Sequence, residues 1–324
     1  GNRTNANLNG ANTTYTSNNL NQLTNSNNGT QNINFTYDNN GNLTYDGAFY
    51  KTYDTDGRLL KDSSSPSNVL TYQYDAFNRR VQKNFNGALY KYSYSSLAQI
   101  EERNGTTNSL TGRTVFTNFL TPVLHEKNNN SYYYHQNELN SVEAITSNTG
   151  SLTERYQYDV YGKPIIYDSS NNAIPSSIAG NRFAYTGQEY DSASSSYRFQ
   201  YRNYSPATGT FNQRDLIGYA DGMGMYQYVH DNPANGIDIL GLKDCPPEKA
   251  NNATETEVSG NLSKVGNYLS IVSAALNKLL EKERIERKKL DLSFKPLDKQ
   301  NKMLGKVSLA GNIAGLSTKV DLLL

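Results

Sequence analysis

One nine-residue stretch decides the fold: Phe35-Thr36-Tyr37-Asp38-Asn39-Asn40-Gly41-Asn42-Leu43. Its first part alternates aromatic and polar residues, which is typical of a β-strand that buries one face. The Asp then caps a tight turn, and Gly41 accepts the positive φ that such a turn needs. Leu43 starts the return strand. The stretch therefore predicts a β-hairpin.

The same unit recurs along the chain. Copies stand at Tyr53-Asp54-Thr55-Asp56-Gly57-Arg58-Leu59, at Tyr72-Gln73-Tyr74-Asp75-Ala76-Phe77-Asn78-Arg79-Arg80-Val81 and at Tyr156-Gln157-Tyr158-Asp159-Val160-Tyr161-Gly162-Lys163. One hairpin cannot bury its own apolar face, so stacked copies must supply the core. A buried tyrosine hydroxyl needs a partner, so we expect a ladder of tyrosine hydrogen bonds along the stack. We interpret the Tyr-Asp pair as a turn, since a catalytic base occurs once per site.

The composition agrees with this interpretation and excludes several functions. The 324 residues include 26 Tyr and no Trp, and only 19% are charged. The formal charge of +1 provides no overall field that would attract nucleic acid or a membrane. A lone cysteine, Cys245, excludes an intrachain disulfide framework, and three histidines leave little for metal chemistry. We therefore expect no cofactor and no metal.

Neither targeting nor membrane segments are evident. No apolar run reaches the ~18 residues of a spanning helix. The first residues, Gly1-Asn2-Arg3-Thr4, lack both a signal segment and an initiator methionine, so we expect a piece of a longer chain. The composition changes near residue 242, because every tyrosine except Tyr268 precedes it. A Pro-Pro pair follows at Pro246-Pro247, as is typical of a linker.

Further motifs appear in order after the repeats. They run from Tyr132-Tyr133-Tyr134-His135 to Lys163-Pro164, and then through Arg182-Phe183-Ala184-Tyr185-Thr186-Gly187-Gln188, Tyr201-Arg202-Asn203-Tyr204, Arg214-Asp215, Tyr226-Gln227-Tyr228, Asp231-Asn232-Pro233 and Ile237-Asp238-Ile239-Leu240-Gly241-Leu242. With the repeats, this series resembles the Rhs family, also called YD-repeat proteins, and includes its signature, the Rhs repeat-associated core. The resemblance covers residues 1–242.

The resemblance implies a mainly β fold, in which an antiparallel hairpin strip winds into the end of a hollow shell. It divides the chain into a YD-repeat strip at 1–131, a core that plugs the shell at 132–242, a linker at 243–260 and the helical start of a toxin or cargo region at 261–324. The family includes interbacterial effectors, components of insecticidal toxin complexes and, more distantly, teneurins. Expected partners are the rest of the shell upstream, an immunity protein and secretion machinery.

The family core is associated with self-cleavage after its terminal Gly-Leu. Carried over, the bond is Leu242–Lys243 and the catalytic residues are Arg202, Asp215 and Asp238. This chemistry is coherent, because two carboxylates that share a site do not both ionise cheaply. One then holds a proton while the other activates a water, and the arginine stabilises a carboxylate or the developing oxyanion.

This chain departs from the family pattern near these residues. The prolines that usually follow the two aspartates are Leu216 and Ile239, the arginine of the usual Gly-Arg-Phe is Thr210, and Asn203 and Ser205 flank the tyrosine of the usual Tyr-Tyr-Asp-Pro. Loss of the second proline removes a backbone restraint beside the bond. The alternative to an autoprotease is therefore a buried ion network that closes the plug.

The C-terminal region has a different pattern. Apolar residues at helical spacing, among them Leu269, Val272 and Leu276, predict an amphipathic helix over 261–290. We interpret it as part of a small helical domain rather than a membrane-inserting segment. The absence of histidine after residue 242 excludes a histidine-metal nuclease there.

Two functions remain open. In the first, the chain is the C-terminal part of a secreted bacterial toxin whose core cuts itself after Leu242, and the activity of the tail is unknown. In the second, it is a cell-surface adhesion or scaffold protein that cuts no bond. A fragment that begins at Lys243 would support the first function.

Overall fold

The computed structural model describes residues 3–8, 10–117 and 120–246, and the predicted helix at 261–290 lies outside them. The described part is built from antiparallel sheets, so the predicted mainly β class is confirmed. A four-stranded sheet comes first, consisting of β1 (Asn5–Leu8), β2 (Ala11–Ser17), β3 (Leu23–Asn27) and β4 (Asn32–Asn34).

A fifteen-stranded sheet follows, in which each strand neighbours the next along the chain. Its strands are β5 (Thr36–Tyr37), β6 (Leu43–Tyr45), β7 (Tyr50–Tyr53), β8 (Leu59–Ser65), β9 (Asn68–Tyr74), β10 (Arg80–Phe85), β11 (Ala88–Ser95), β12 (Ala98–Asn104), β13 (Leu110–Phe116), β14 (Pro122–Lys127), β15 (Asn130–Gln136), β16 (Val142–Ser147), β17 (Leu152–Tyr158), β18 (Pro164–Asp168) and β19 (Ala173–Ile174). The sheet continues across residue 131, where the sequence motifs change.

Two small sheets and three short 3₁₀ turns complete the described part. The sheets consist of β20 (Glu189–Asp191), β21 (Ser196–Arg198), β22 (Asn203–Ser205) and β23 (Thr210–Phe211), and of β24 (Ile237–Asp238) with β25 (Asp244–Cys245). The 3₁₀ turns are Tyr185–Gly187, Gly218–Asp221 and Val229–Asp231. No helix in these ranges is long and apolar enough to cross a membrane.

The repeated Asp turn has one geometry wherever it occurs. At Asp54, the carboxylate Oδ1 accepts the N–H groups of Asp56 at 2.9 Å and Arg58 at 3.0 Å, and Gly57 has a φ of +77°. The backbone N–H of Asp54 donates to the Arg58 carbonyl at 3.0 Å. The same set of bonds forms at Asp38, Asp75 and Asp159. The interpretation of this aspartate as a turn residue is confirmed.

The tyrosines before these turns occupy equivalent places, as predicted, because each ends its strand: Tyr37, Tyr53, Tyr74 and Tyr158. The hydroxyls of two of them, and of Tyr94 near the end of β11, donate to the carbonyl of the residue that begins the preceding strand: Tyr53 to Leu43 at 2.9 Å, Tyr94 to Arg80 at 2.8 Å and Tyr158 to Val142 at 2.7 Å. The expected tyrosine ladder is therefore present at these steps.

The residues after the long sheet form an aromatic core of their own. It contains five fully or almost fully buried rings, those of Tyr197, Phe199, Tyr204, Phe211 and Tyr228. Neighbouring rings meet mostly edge-on or tilted, for example Phe199 on Phe211 with centroids 5.3 Å apart. Aromatic pairs prefer such arrangements, each of which contributes about 0.5–1.5 kcal/mol beyond the area it buries. This cluster supports the turns that hold the candidate site.

Candidate functional site

The three residues singled out in the sequence come from three separate turns. Arg202 lies in the turn between β21 and β22, whose Phe199 N–H donates to the Arg202 carbonyl at 3.0 Å. Asp215 follows β23, and its N–H donates to the Met225 carbonyl at 2.9 Å. Asp238 ends β24. The pairing of β24 with β25 turns the chain back at this point.

The structure brings the three side chains together around one nitrogen. Nη2 of Arg202 lies 2.9 Å from Oδ2 of Asp215 and 3.3 Å from Oδ2 of Asp238. All three side chains are almost completely buried. The guanidinium also packs over the Phe211 ring, with Cζ 3.7 Å from the centroid. One positive charge therefore faces two carboxyl groups in a desolvated place.

Arg202 and Asp238 also hold the segment that contains the predicted bond. Nε of Arg202 donates to the Gly241 carbonyl at 2.6 Å. Oδ1 of Asp238 accepts the backbone N–H groups of four successive residues, Leu240 at 3.2 Å, Gly241 at 2.7 Å, Leu242 at 3.0 Å and Lys243 at 3.3 Å. The last of these is the amide nitrogen of the Leu242–Lys243 bond itself.

Gly241 is required by this arrangement. Its φ is +75°, a region that side chains with a Cβ rarely adopt. A Cβ built there would lie 3.0 Å from Cβ of Phe199 and 3.3 Å from the backbone nitrogen of Arg202. Glycine thus lets the chain wrap closely around the arginine, so that its carbonyl meets the guanidinium.

The pKa values of both acids are raised, and their hydrogen-bond partners differ. Burial raises the pKa of Asp215 to about 6, and the neighbouring Arg202 opposes that shift. Burial also raises the pKa of Asp238, against the effect of Arg202 and of the backbone N–H donors. Asp238 accepts five N–H groups, whereas Asp215 accepts those of Arg202 and Ile217. Because N–H donors favour the ionised form, a proton shared by the pair resides mainly on Asp215.

Comparison with known proteins identifies the family. The family model described as "Teneurin YD-shell" matches residues 1–233. The chain belongs to the teneurin YD-shell family. The resemblance to Rhs and YD-repeat proteins is thereby confirmed. The match includes Arg202 and Asp215 and ends before Asp238.

Curated relatives of this YD-shell chain are named as nucleases. The chain is 30% identical over 215 residues to the tRNA(Glu)-specific nuclease WapA of Bacillus subtilis subsp. natto, and equally identical over 215 residues to the tRNA nuclease WapA of Bacillus subtilis strain 168. Each match covers 62% of this chain and 9% of the relative. The chain therefore corresponds to a small part of these proteins.

Solved structures with a similar fold are toxin components. The crystal structure of TcdB2-TccC3 matches with a TM-score of 0.53 and 18% identity, over 72% of this chain and 14% of that one. The Tc holotoxin pore of Photorhabdus luminescens gives a TM-score of 0.54 at 18% identity, over 72% of this chain and 13% of that one. At this identity the likeness shows the fold.

Two further contacts at the candidate site of this YD-shell chain were not predicted from the sequence. The carbonyl of Met225 accepts from Nη1 of Arg202 at 3.4 Å, and Nε2 of Gln188 donates to the Ile239 carbonyl at 3.0 Å. A backbone carbonyl leaves no mark on residue type, so no spacing could have revealed Met225. Gln188 stands in a quoted motif, but only the fold brings it to residue 239.

Proposed function

We propose that this chain is the C-terminal part of an Rhs-type toxin whose core cuts its own chain after Leu242. The observation that carries the proposal is the position of Asp238. Its carboxylate contacts the nitrogen of the Leu242–Lys243 amide and shares an arginine nitrogen with the second acid, Asp215. The substrate is already in place, so no association step has to precede the reaction.

The mechanism follows from the unequal environments of the two acids. Asp238, ionised, takes a proton from a water molecule, whose oxygen attacks the Leu242 carbonyl carbon. Asp215, protonated, donates a hydrogen bond to the carbonyl oxygen as it becomes negative. The C–N bond then breaks, and the proton held by Asp238 passes to the Lys243 nitrogen, which it faces at 3.3 Å. The products are a carboxylate at Leu242 and an amine at Lys243.

Arg202 has a positioning and an electrostatic part in this scheme. Its bond to the Gly241 carbonyl fixes the residue before Leu242, and its charge keeps one acid ionised at a site that burial would otherwise neutralise. Because Arg202 contacts both acids through one nitrogen, it also holds the two carboxyl groups close together.

The wider role of the protein is proposed from its family. The WapA relatives are named as tRNA nucleases, and TccC3 was solved together with TcdB2. We infer that residues 1–242 form one end of a shell completed by further chain upstream, and that residues 243–324 begin the enclosed cargo. Export from a bacterial cell, an immunity protein and secretion machinery belong to the same proposal, as does the division of the chain at residues 131, 242 and 260.

Intact mass measurement of the full chain, followed by N-terminal sequencing, tests the cleavage. We expect a fragment that begins at Lys243. Synthesis in H₂¹⁸O should place one heavy oxygen in the new carboxylate of Leu242, because water supplies that oxygen. A chain that stays intact, with the fold preserved, would favour the non-cleaving scaffold and give the Arg202 cluster a purely structural role.

If the parent chain stays intact, Ile239→Pro is the variant to make. Among the hydrogen bonds of residues 3–8, 10–117 and 120–246, none uses the N–H of Ile239. Proline at this position therefore loses no backbone bond and restores the restraint that the family pattern has beside Asp238.

A further inference from the structure

Three side chains with metal-binding atoms meet beside the predicted cleavage segment. They are Asp221 at the end of a 3₁₀ turn, His230 inside another, and Asp244 in β25. One ligand atom from each lies within 4.8 Å of the other two. Nothing in the sequence joins these positions, and the low histidine and cysteine content predicted no metal.

The imidazole of His230 is oriented in the manner of a metal ligand. Its Nε2 lies 2.6 Å from the backbone carbonyl of Asp221, which can only accept, so Nε2 carries the hydrogen. Nδ1 lies 3.3 Å from Oδ1 of Asp244, to which it donates a hydrogen bond when the ring is protonated and toward which it turns a lone pair when the ring is neutral. Metal-bound histidines characteristically donate their other ring N–H to a carbonyl or carboxylate in this way. Gly222 leaves room for the ring, since a Cβ there would lie 3.0 Å from Nε2.

Within the part of the chain that the structure describes, no lysine or arginine forms an ion pair with Asp221 or Asp244. Two carboxylates this close to each other repel when both are ionised, and a positive charge among them relieves that repulsion. A proton on His230 or a bound metal ion would serve, and the two alternatives are experimentally distinct.

We propose that Asp221, His230 and Asp244 bind a divalent transition-metal ion of the zinc type. Zn²⁺ accepts both imidazole nitrogen and carboxylate oxygen as ligands, and a site with three protein ligands leaves its fourth position to water. The imidazole disfavours Mg²⁺ and Ca²⁺, which prefer oxygen ligands. Around a tetrahedral zinc the ligand atoms stand roughly 3.3 Å apart at bond lengths of about 2.0 Å, so a small closure of the cluster suffices.

The position of Asp244 gives a bound ion a structural role. Asp244 lies just beyond the Leu242–Lys243 bond, whereas Asp221 and His230 precede it. A metal bound by all three therefore ties the chain after the bond to the chain before it. This second statement rests on the proposed function: after cleavage, the ion would keep the new N-terminal segment attached to the core, and its removal would loosen that segment.

Zinc binding is tested on the full chain carrying Asp215→Asn, in which cleavage is slowed, and intact mass verifies before each titration that the Leu242–Lys243 bond is unbroken. After treatment with EDTA and its removal, calorimetric titration with Zn²⁺ should show one equivalent bound. His230→Ala and Asp244→Asn should each weaken binding by at least about 100-fold, since loss of an outer-shell partner alone costs 10–100-fold. Mg²⁺ should not compete.

Matched controls stay outside the cluster. His135→Ala removes an exposed histidine bonded to Thr146, and Asp231→Asn removes the exposed carboxylate next to His230. Cys245→Ser tests whether the neighbouring thiol contributes. All three should bind Zn²⁺ as the parent does. Failure of the intact chain to bind Zn²⁺, or equal binding by His230→Ala, would overturn the site and leave the proton on His230 as the cation.

The clamp is tested separately on chain that has cut itself. Gel filtration in EDTA should release the fragment that begins at Lys243 faster than gel filtration in Zn²⁺, and His230→Ala should abolish the difference. If Zn²⁺ binds but release does not depend on it, the clamp is wrong and the site stands. If the parent chain is never cut, the proposed function fails, and the zinc titration still decides the site.

Discussion

Replacing Asp238 by asparagine removes the negative charge of the side chain and keeps its shape nearly unchanged. In Asp238→Asn, the amide oxygen of the new side chain can still accept the four backbone N–H groups that Oδ1 accepts now. The NH₂ group of that side chain then takes the place of Oδ2, which lies 3.3 Å from Nη2 of Arg202. Two hydrogen-bond donors therefore face each other there. The segment around Leu242 therefore keeps its cap, while the base beside the Lys243 nitrogen is gone.

The cost in stability follows from that exchange. A hydrogen bond to a charged group contributes about 1.5–3 kcal/mol, and relief of repulsion between the two acids offsets part of its loss. For a domain of this size we expect the melting temperature to fall by roughly 3–12 °C, with the fold retained. Loss of a general base should slow cleavage at least ~100-fold.

The assay is a time course of cell-free synthesis, in which newly made chain is followed by gel electrophoresis and intact mass. Asp215→Asn should slow cleavage to a similar degree. Asp62→Asn is the matched control, because it removes a fully buried carboxylate from its ion pair with Lys51 in the long sheet and leaves the site untouched. If both site variants are cut as fast as the parent, the protease mechanism is wrong and the cluster is structural.

Three further predictions concern pH, charge burial and the tyrosine ladder. Burial raises the pKa of Asp215 from its usual 3.8 to about 6, so the folded state binds more protons than the unfolded state between these two pH values. The contribution of Asp215 to stability therefore falls as pH rises through that window. A pH series should also show the cleavage rate falling above about pH 6. Lys51→Met leaves Asp62 buried without its partner and should lower the free energy of unfolding in urea by about 3–5 kcal/mol. Adding Asp62→Asn should recover part of that loss, and losses that simply add in the double variant would contradict the pairing. Tyr158→Phe removes the hydroxyl bond to the Val142 carbonyl and should cost about 0.5–1.5 kcal/mol in the same assay, with no change in unfolding midpoint as the contrary result.

Much of the fold could be predicted from residue order because the repeated interactions are local. The turn at Asp54 uses only the four residues that follow it, and the same bonds form at Asp38, Asp75 and Asp159. Tyr53 ends its strand because the turn begins there, and its hydroxyl reaches the neighbouring strand. An alternating strand, a capping carboxylate and a residue of positive φ suffice to specify such a hairpin.

Only part of the candidate site could be predicted from the sequence in this way. The residue types of Arg202, Asp215 and Asp238 came from family resemblance, and no periodicity relates their positions. Their convergence on one nitrogen depends on three turns packed around buried aromatic rings, which only the tertiary structure decides. The Asp221, His230 and Asp244 cluster is a stronger case, since nothing in the sequence joins these positions and only the fold brings them together.

The sequence by itself therefore determined the hairpins, their tyrosines and the mainly β class, because each depends on interactions between near neighbours along the chain. Only the tertiary structure decided which charges share a buried place and which backbone nitrogens Asp238 accepts. The physical reason is that burial and electrostatic interaction depend on distance in space, and the turns that close those distances are fixed by packing far from the residues they bring together.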